Sequence, residues 1–116
     1  MMNLKNIHDI PSEEVTMFGS RGTSIQWLWS KDEVPHFALR RFVISPNGEI
    51  GIHQHEEEHE IFILSGEGVV FNDSGEEFPI HPQDTLFVPG NEAHGYRNTG
   101  NEDLIFLCII PIFSKS

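Results

Sequence analysis

The segment His53-Gln54-His55-Glu56-Glu57-Glu58-His59-Glu60-Ile61-Phe62-Ile63-Leu64-Ser65-Gly66 combines the alternation of extended chain with an unusual density of histidine. Alternate side chains of a strand share a face, so a strand over residues 51–55 points His53 and His55 the same way. The three glutamates that follow form a polar loop. His59 then opens a second strand over residues 59–64, with Ile61 and Ile63 on its own face and Glu60 on the other. As neighbours, the two strands bring His53, His55 and His59 together on one inner face.

Outward from this segment the chain is a series of short apolar runs separated by dense turn signals, the pattern of an all-β protein. Further strands are expected over residues 24–29, 37–45, 67–72, 76–80, 85–88, 94–98 and 104–110. Between them lie Pro46-Asn47-Gly48, Asp73-Ser74-Gly75, His81-Pro82, Pro89-Gly90-Asn91 and Thr99-Gly100-Asn101. Asn72-Asp73-Ser74-Gly75 reads as a hairpin turn. Beyond residue 20 no apolar pattern of helical period is sustained. Residues 9–18 are expected to form one helical turn with Ser12 as its cap. About nine short strands in one small domain must close on themselves or pack as two sheets. The expectation is therefore a single domain over residues 21–116, a compact β-barrel or a double-sheet jelly roll, preceded by an N-terminal arm over residues 1–20.

Composition narrows the function. The 116 residues hold 7 Lys+Arg against 18 Asp+Glu, for a formal charge of −11. Phosphate backbones and anionic membranes require clustered cations, and Arg40-Arg41 is the one adjacent pair, so neither nucleic acid nor membrane is expected as a partner. The longest apolar run, residues 104–110, is too short to span a bilayer and ends at Pro111. Charges scattered through the first residues do not match a signal peptide. A soluble, cytoplasmic protein is expected. Cys108, the single cysteine, excludes an internal disulfide framework and a cysteine-based zinc cage.

The 7 histidines demand an explanation. His94 follows the Pro89-Gly90-Asn91 turn and begins a strand, which makes it a fourth candidate beside His53, His55 and His59. Four imidazoles converging in a β pocket are costly unless something accepts their lone pairs, and a divalent metal does so. His8, His36 and His81 fall in expected loops and are left out of the site.

These residues resemble the cupin superfamily. In its first motif a glycine precedes His-x-His, a glutamate follows, and a glycine closes. Gly48 stands five positions before His53, Gly66 closes the motif, and His59 occupies the place of the glutamate, with Glu60 one position off. In the second motif, Pro-x-Gly-x-x-His-x-x-x-Asn, Pro89, His94 and Asn98 match; Asn91 stands where the glycine is expected and Gly90 is displaced by one. The likeness extends over residues 20–111 to small manganese-binding monocupins with four-histidine sites. It implies His53, His55, His59 and His94 as ligands of a divalent ion, manganese first, with iron, nickel, zinc or copper as alternatives.

Four neutral imidazoles leave the charge of the cation uncompensated and make it a Lewis acid that attracts anionic oxygen. Tetrahedral zinc would be closed by four histidines. An octahedral ion, which the resemblance implies, keeps two open positions. That favours a metal-dependent oxygenase or related oxidoreductase acting on a small, largely apolar molecule. The alternatives are a non-catalytic binding or sensing module and a Lewis-acid isomerase, the last disfavoured because no carboxylate base is expected to face the pocket.

Alternation puts Phe106, Cys108 and Ile110 on one face of their strand, and the resemblance places that face near the metal. Arg40 shares a face with Phe42 and Ile44 and would suit a carboxylate-bearing ligand. Tyr96 shares the face of His94 and could donate to a ligand, whereas Asn98 is as well suited to tying down a turn. The resemblance also implies a homodimer, for which the Trp27- and Trp29-bearing strand is the expected interface.

Overall fold

One strand organises the architecture. In the computed structural model, which describes residues 1–113, β3 runs through 17 residues, Phe37–His53. The other strands are β1 (Glu13–Glu14), β2 (Arg21–Trp29), β4 (His59–Ser65), β5 (Gly68–Phe71), β6 (Glu77–Ile80), β7 (Thr85–Val88), β8 (His94–Asn98) and β9 (Leu104–Pro111). They form a curled sheet in the order β6-β5-β8-β3-β9-β4-β7, with β2 against β3 and β1 against β2. Every pairing is antiparallel. The chain is an all-β jelly-roll barrel, one of the closed all-β forms that its strand count and turn density imply.

The expected turn at Pro46-Asn47-Gly48 does not end a strand. Asn47 adopts a left-handed conformation (φ 67°) while pairing with β2 resumes on both sides, Ile44 opposite Thr23 and Glu49 opposite Arg21. The segment is a bulge that bends β3, and bulges are how strands pass from one sheet layer to another. Before the bulge β3 pairs with β9 from Phe37 to Ile44; after it β3 pairs with β8 from Glu49 to His53. β3 stops at His53, so His55 lies outside the strand expected for it.

The core consists of lateral rows on the inner face. Ile25, Phe42, Phe106 and Ile63 are successive partners across β2, β3, β9 and β4. The Phe42 and Phe106 rings stack with centroids 5.2 Å apart, and Tyr96 lies 5.2 Å from Phe106. Full burial of each such side chain is worth about 1.5–3 kcal/mol. The next row is Trp27, Arg40, Cys108 and Ile61. Strand pairing alone thus seats a cation and a thiol side by side above an apolar core.

Residues 9–18 do not form the Ser12-capped turn. The 3-10 turns lie instead at Ile7–Asp9, capped by the Asn6 side chain, and at Met17–Gly19. Between them Glu13 and Glu14 pair with Ile25 and Ser24, and the Val15 N–H donates to Thr23 O at 2.9 Å. The open edge of β2 offers backbone groups that an extended segment satisfies and a helical turn cannot. The arm is pinned further by Gln26, whose Nε2 donates to Ile7 O (2.8 Å) and Ile10 O (2.9 Å).

Candidate metal centre

Four imidazoles converge where β3, β4 and β8 meet. His53 and His94 are direct partners across β3 and β8, with ring centroids 4.5 Å apart. His59 opens β4 on its buried face, in the alternation the sequence implies: His59, Ile61 and Ile63 inward, Glu60 outward. His55 arrives by another route. The loop after β3 is tied to the turn before β8 by the Asn91 N–H, which donates to His55 O at 2.7 Å. Gly90 permits this approach, because a Cβ there would lie 2.5 Å from Glu56 O. His55 then stands 4.5 Å from His59 and 5.3 Å from His94, ring to ring.

Their nitrogens are oriented from behind. His53 Nδ1 lies 2.8 Å from Gly51 O, and His94 Nδ1 lies 2.8 Å from Glu92 O. A carbonyl only accepts, so each Nδ1 carries the proton and each Nε2 keeps its lone pair for the centre. His94 Nε2 is buried without a hydrogen-bond partner. His53, His55 and His94 each offer a ligand atom within 4.8 Å of the others. His59 Nε2 stands 2.7 Å from His55 Nε2.

The back of His59 is held by side chains. Its Nδ1 lies 2.8 Å from Cys108 Sγ and 3.1 Å from Arg40 Nη2, which donates to the same sulfur at 3.0 Å. A guanidinium cannot accept. Either Nδ1 accepts from Arg40 and Nε2–H donates to His55, or Nδ1–H donates to Cys108 and the Nε2 lone pair faces the other imidazoles.

Electrostatics hold His53, His59 and His94 neutral. Burial, reinforced by the Arg40 cation and the other histidines, brings His59 down to about 2. Burial also brings His94 down to about 4 and lowers His53. Neutral imidazoles with inward lone pairs are the form that binds a cation. Burial pushes the Cys108 thiol up against the opposing pull of Arg40, and it holds the Tyr96 phenol far above its ordinary range.

The cluster borders a cavity of about 570 Å³, within the range of small-molecule sites. Phe106, Cys108, Ile110, Arg40 and Tyr96 all line it, alongside Trp27, Phe42 and Ile50. The Tyr96 hydroxyl and Arg40 Nε are buried without partners. Asn98 is occupied elsewhere: its Nδ2 donates to Ile44 O and Glu102 O, and its Oδ1 accepts from Gly100 N–H. His81 contacts Asp84 and Glu67 at the surface.

One contributor escapes the sequence reading. Phe18, from the arm, stacks on His53 at 4.7 Å and 10°. It is seated by Gly51, where a Cβ would overlap the Phe18 carbonyl oxygen, and by Ser20 Oγ, which accepts from the Gly51 N–H at 3.2 Å. The only trace in the sequence is that glycine beside His53. Glu57 also lines the cavity, 3.9 Å from His55 Nδ1, as do Glu13 and Glu14. The expectation of a pocket without carboxylates is therefore corrected, although no carboxylate hydrogen-bonds any of the four imidazoles among the described residues.

A jelly-roll barrel whose buried histidine cluster opens on an apolar cavity carries the donor set of a divalent metal site. The chain belongs to the cupin family: the cupin domain matches residues 40–110. It is 39% identical over 104 residues to the oxalate-binding protein of Thermotoga maritima, covering 86% of this chain and 85% of that protein. It is also 39% identical over 117 residues to auxin-binding protein 1 of Arabidopsis thaliana, covering 92% of this chain and 58% of that longer protein. Among solved structures, the polyketide cyclase RemF of Streptomyces resistomycificus matches with a TM-score of 0.87 at 28% identity, over 100% of this chain and 89% of the other. A predicted oxalate decarboxylase of Thermotoga maritima matches with a TM-score of 0.85 at 31% identity, over 96% and 100%.

Proposed function

We propose that the protein holds a divalent cation through His53, His55, His59 and His94 and acts as an oxygenase or related oxidoreductase on a small, largely apolar molecule bearing an anionic oxygen group. The observation that carries this reading is the buried, unpartnered Nε2 of His94 beside three more imidazoles at an apolar-walled cavity. Manganese is the ion favoured by the likeness to four-histidine cupins. A bound cation would supply Lewis-acid polarisation and, if redox-active, dioxygen chemistry. The chain's own residues do the rest. As a ligand His59 carries its proton on Nδ1 and donates it to Cys108, which takes the part that Gly51 O and Glu92 O take for His53 and His94. Arg40 supplies positive charge to an anionic group, Tyr96 supplies a free donor, and Phe18, Phe42, Ile50 and Phe106 exclude water.

Non-catalytic binding is the second reading, favoured by the burial that keeps the Cys108 thiol and the Tyr96 phenol at the cavity protonated and so unable to act as bases. The names of the oxalate-binding and auxin-binding relatives lean the same way. The experiment is to identify the metal in purified protein and follow oxygen uptake with candidate alkenes and catechol-like compounds. Octahedral manganese or iron with substrate-dependent uptake is expected. Four-coordinate zinc with no uptake refutes the oxygenase reading.

A further inference from the structure

We propose that the metal cavity is the inner half of a two-compartment site whose ligand is a monocarboxylic acid with an unbranched apolar tail, the tail running past Trp27 into an outer compartment. The proposal rests on the reading of the four histidines as a cation site, because the cation and Arg40 anchor the carboxylate. The outer compartment is a second cavity of about 900 Å³, beside the inner one of about 570 Å³. Trp27, Glu57 and Ile110 border both, so the two meet at a waist formed by these three side chains. Beyond the waist the walls are Ala38, Pro111, Ile112 and Phe113, with the exposed Lys31 and Asp32 as polar lining.

Strand register builds the outer compartment. Phe106, Cys108 and Ile110 alternate along the inner face of β9, and the ladder continues past its end, since the Ile112 N–H donates to His36 O at 2.9 Å. Ile112 keeps the same period and lines the outer cavity, as alternation requires. On β3 the inner-face residue after Arg40 is Ala38, the partner of Ile110. Ala38 is 1% exposed, and its single methyl leaves open the space that a larger residue would fill. Trp27, expected at a subunit interface, turns inward, with Arg40 Cζ 5.6 Å from its ring centroid. The site therefore has a cation with a buried, unpartnered Nε at its inner end and apolar walls from there outward. Four residue steps from Cys108 to Ile112 cover about 13 Å at the rise of a strand. An extended chain of about ten carbons, with bonds near 1.5 Å, reaches as far. Glu57 at the waist repels a second negative charge, so the tail is neutral.

The test is isothermal titration calorimetry on the full chain loaded with Mn²⁺, with butanoate and decanoate as probes. Burial of each methylene is worth about fourfold in affinity. Decanoate is expected to bind once per chain and at least ~30-fold tighter than butanoate. Ile112→Glu and Phe113→Glu each place a charge on the outer wall. Each should lower decanoate affinity at least ~10-fold and leave butanoate affinity and manganese content unchanged. Phe113 is 48% exposed, so its position accepts a charge even if the Ile112 variant misfolds. Trp29 lies outside both compartments, with Lys5 Nζ 4.3 Å from its ring, so W29F leaves Trp27 as the sole tryptophan. Its emission should shift to the blue as decanoate displaces water. In protein that holds its manganese, decanoate no tighter than butanoate, decanoate affinity untouched by both charged variants, or unmoved Trp27 emission would each overturn the two-compartment site and leave the metal reading standing. A chain-length preference with decanoate affinity equal before and after chelator stripping would uphold the site and overturn the cation as its anchor.

Discussion

Replacing Cys108 with alanine isolates the contact that orients His59. Cys108 Sγ is 2.8 Å from His59 Nδ1 and 3.0 Å from Arg40 Nη2, in a position only 1% exposed. Alanine removes the acceptor and admits no bulk water. While Nδ1 stays protonated, two buried donors are left unpaired, at about 1–3 kcal/mol for such a loss. Arg40 then remains against Nδ1, favouring the tautomer whose Nε2 bears a proton and cannot bind a cation. Loss of a group that orients a metal ligand lowers affinity by about 10–100-fold. Competition titration of Mn²⁺ against a chelator should show that loss in C108A. C108S keeps an acceptor at the same place and should stay within ~5-fold of wild type. A C108A protein that binds Mn²⁺ as tightly as wild type would refute the reasoning, because His59 would then need no partner behind it.

Three further outcomes follow from the same geometry. H59A and H94A should each cut Mn²⁺ affinity by at least ~10²-fold, measured by the same titration, since each removes a ligand outright rather than loosening one. Metal-free protein should lose stability as pH falls from about 6.5 toward 4. His59 and His94 stay neutral there while the unfolded chain takes up protons, so the unfolded state binds more protons and stability falls by up to about 1.4 kcal/mol per pH unit for each group. Urea midpoints across that window check the sign; a midpoint that rises on acidification would contradict it. G51A should push the Phe18 carbonyl off β3, and hydrogen exchange should then accelerate at the Val15 amide while the Cys108 amide stays protected.

What the sequence reveals and what it conceals divide along physical lines. Strand alternation correctly sorts His59, Ile61 and Ile63 from Glu60, and Phe106 and Cys108 from Ile105 and Leu107, because burial of one sheet face imposes the period. His55 reaches the cluster for a reason that alternation does not contain: it has left the strand and is carried back by Asn91 and the closeness of Gly90 to Glu56. Pro46-Asn47-Gly48 carries the residues of a turn, but only tertiary pairing decides that β2 stays in register beside them and makes them a bulge. The arm is the least legible part. Its contacts with Gln26, Gly51 and His53 are made across the sheet and leave almost no local pattern, so Phe18 has no signal of its own.

The central claim is that four imidazoles hold one divalent cation. X-ray absorption at the metal edge of purified protein, with metal quantified per chain, tests it most directly. The account predicts one cation per chain, a first shell dominated by imidazole nitrogen, and loss of that shell in H94A. A chain free of metal after growth and reconstitution, or a cation whose shell is unchanged by H94A, would contradict it.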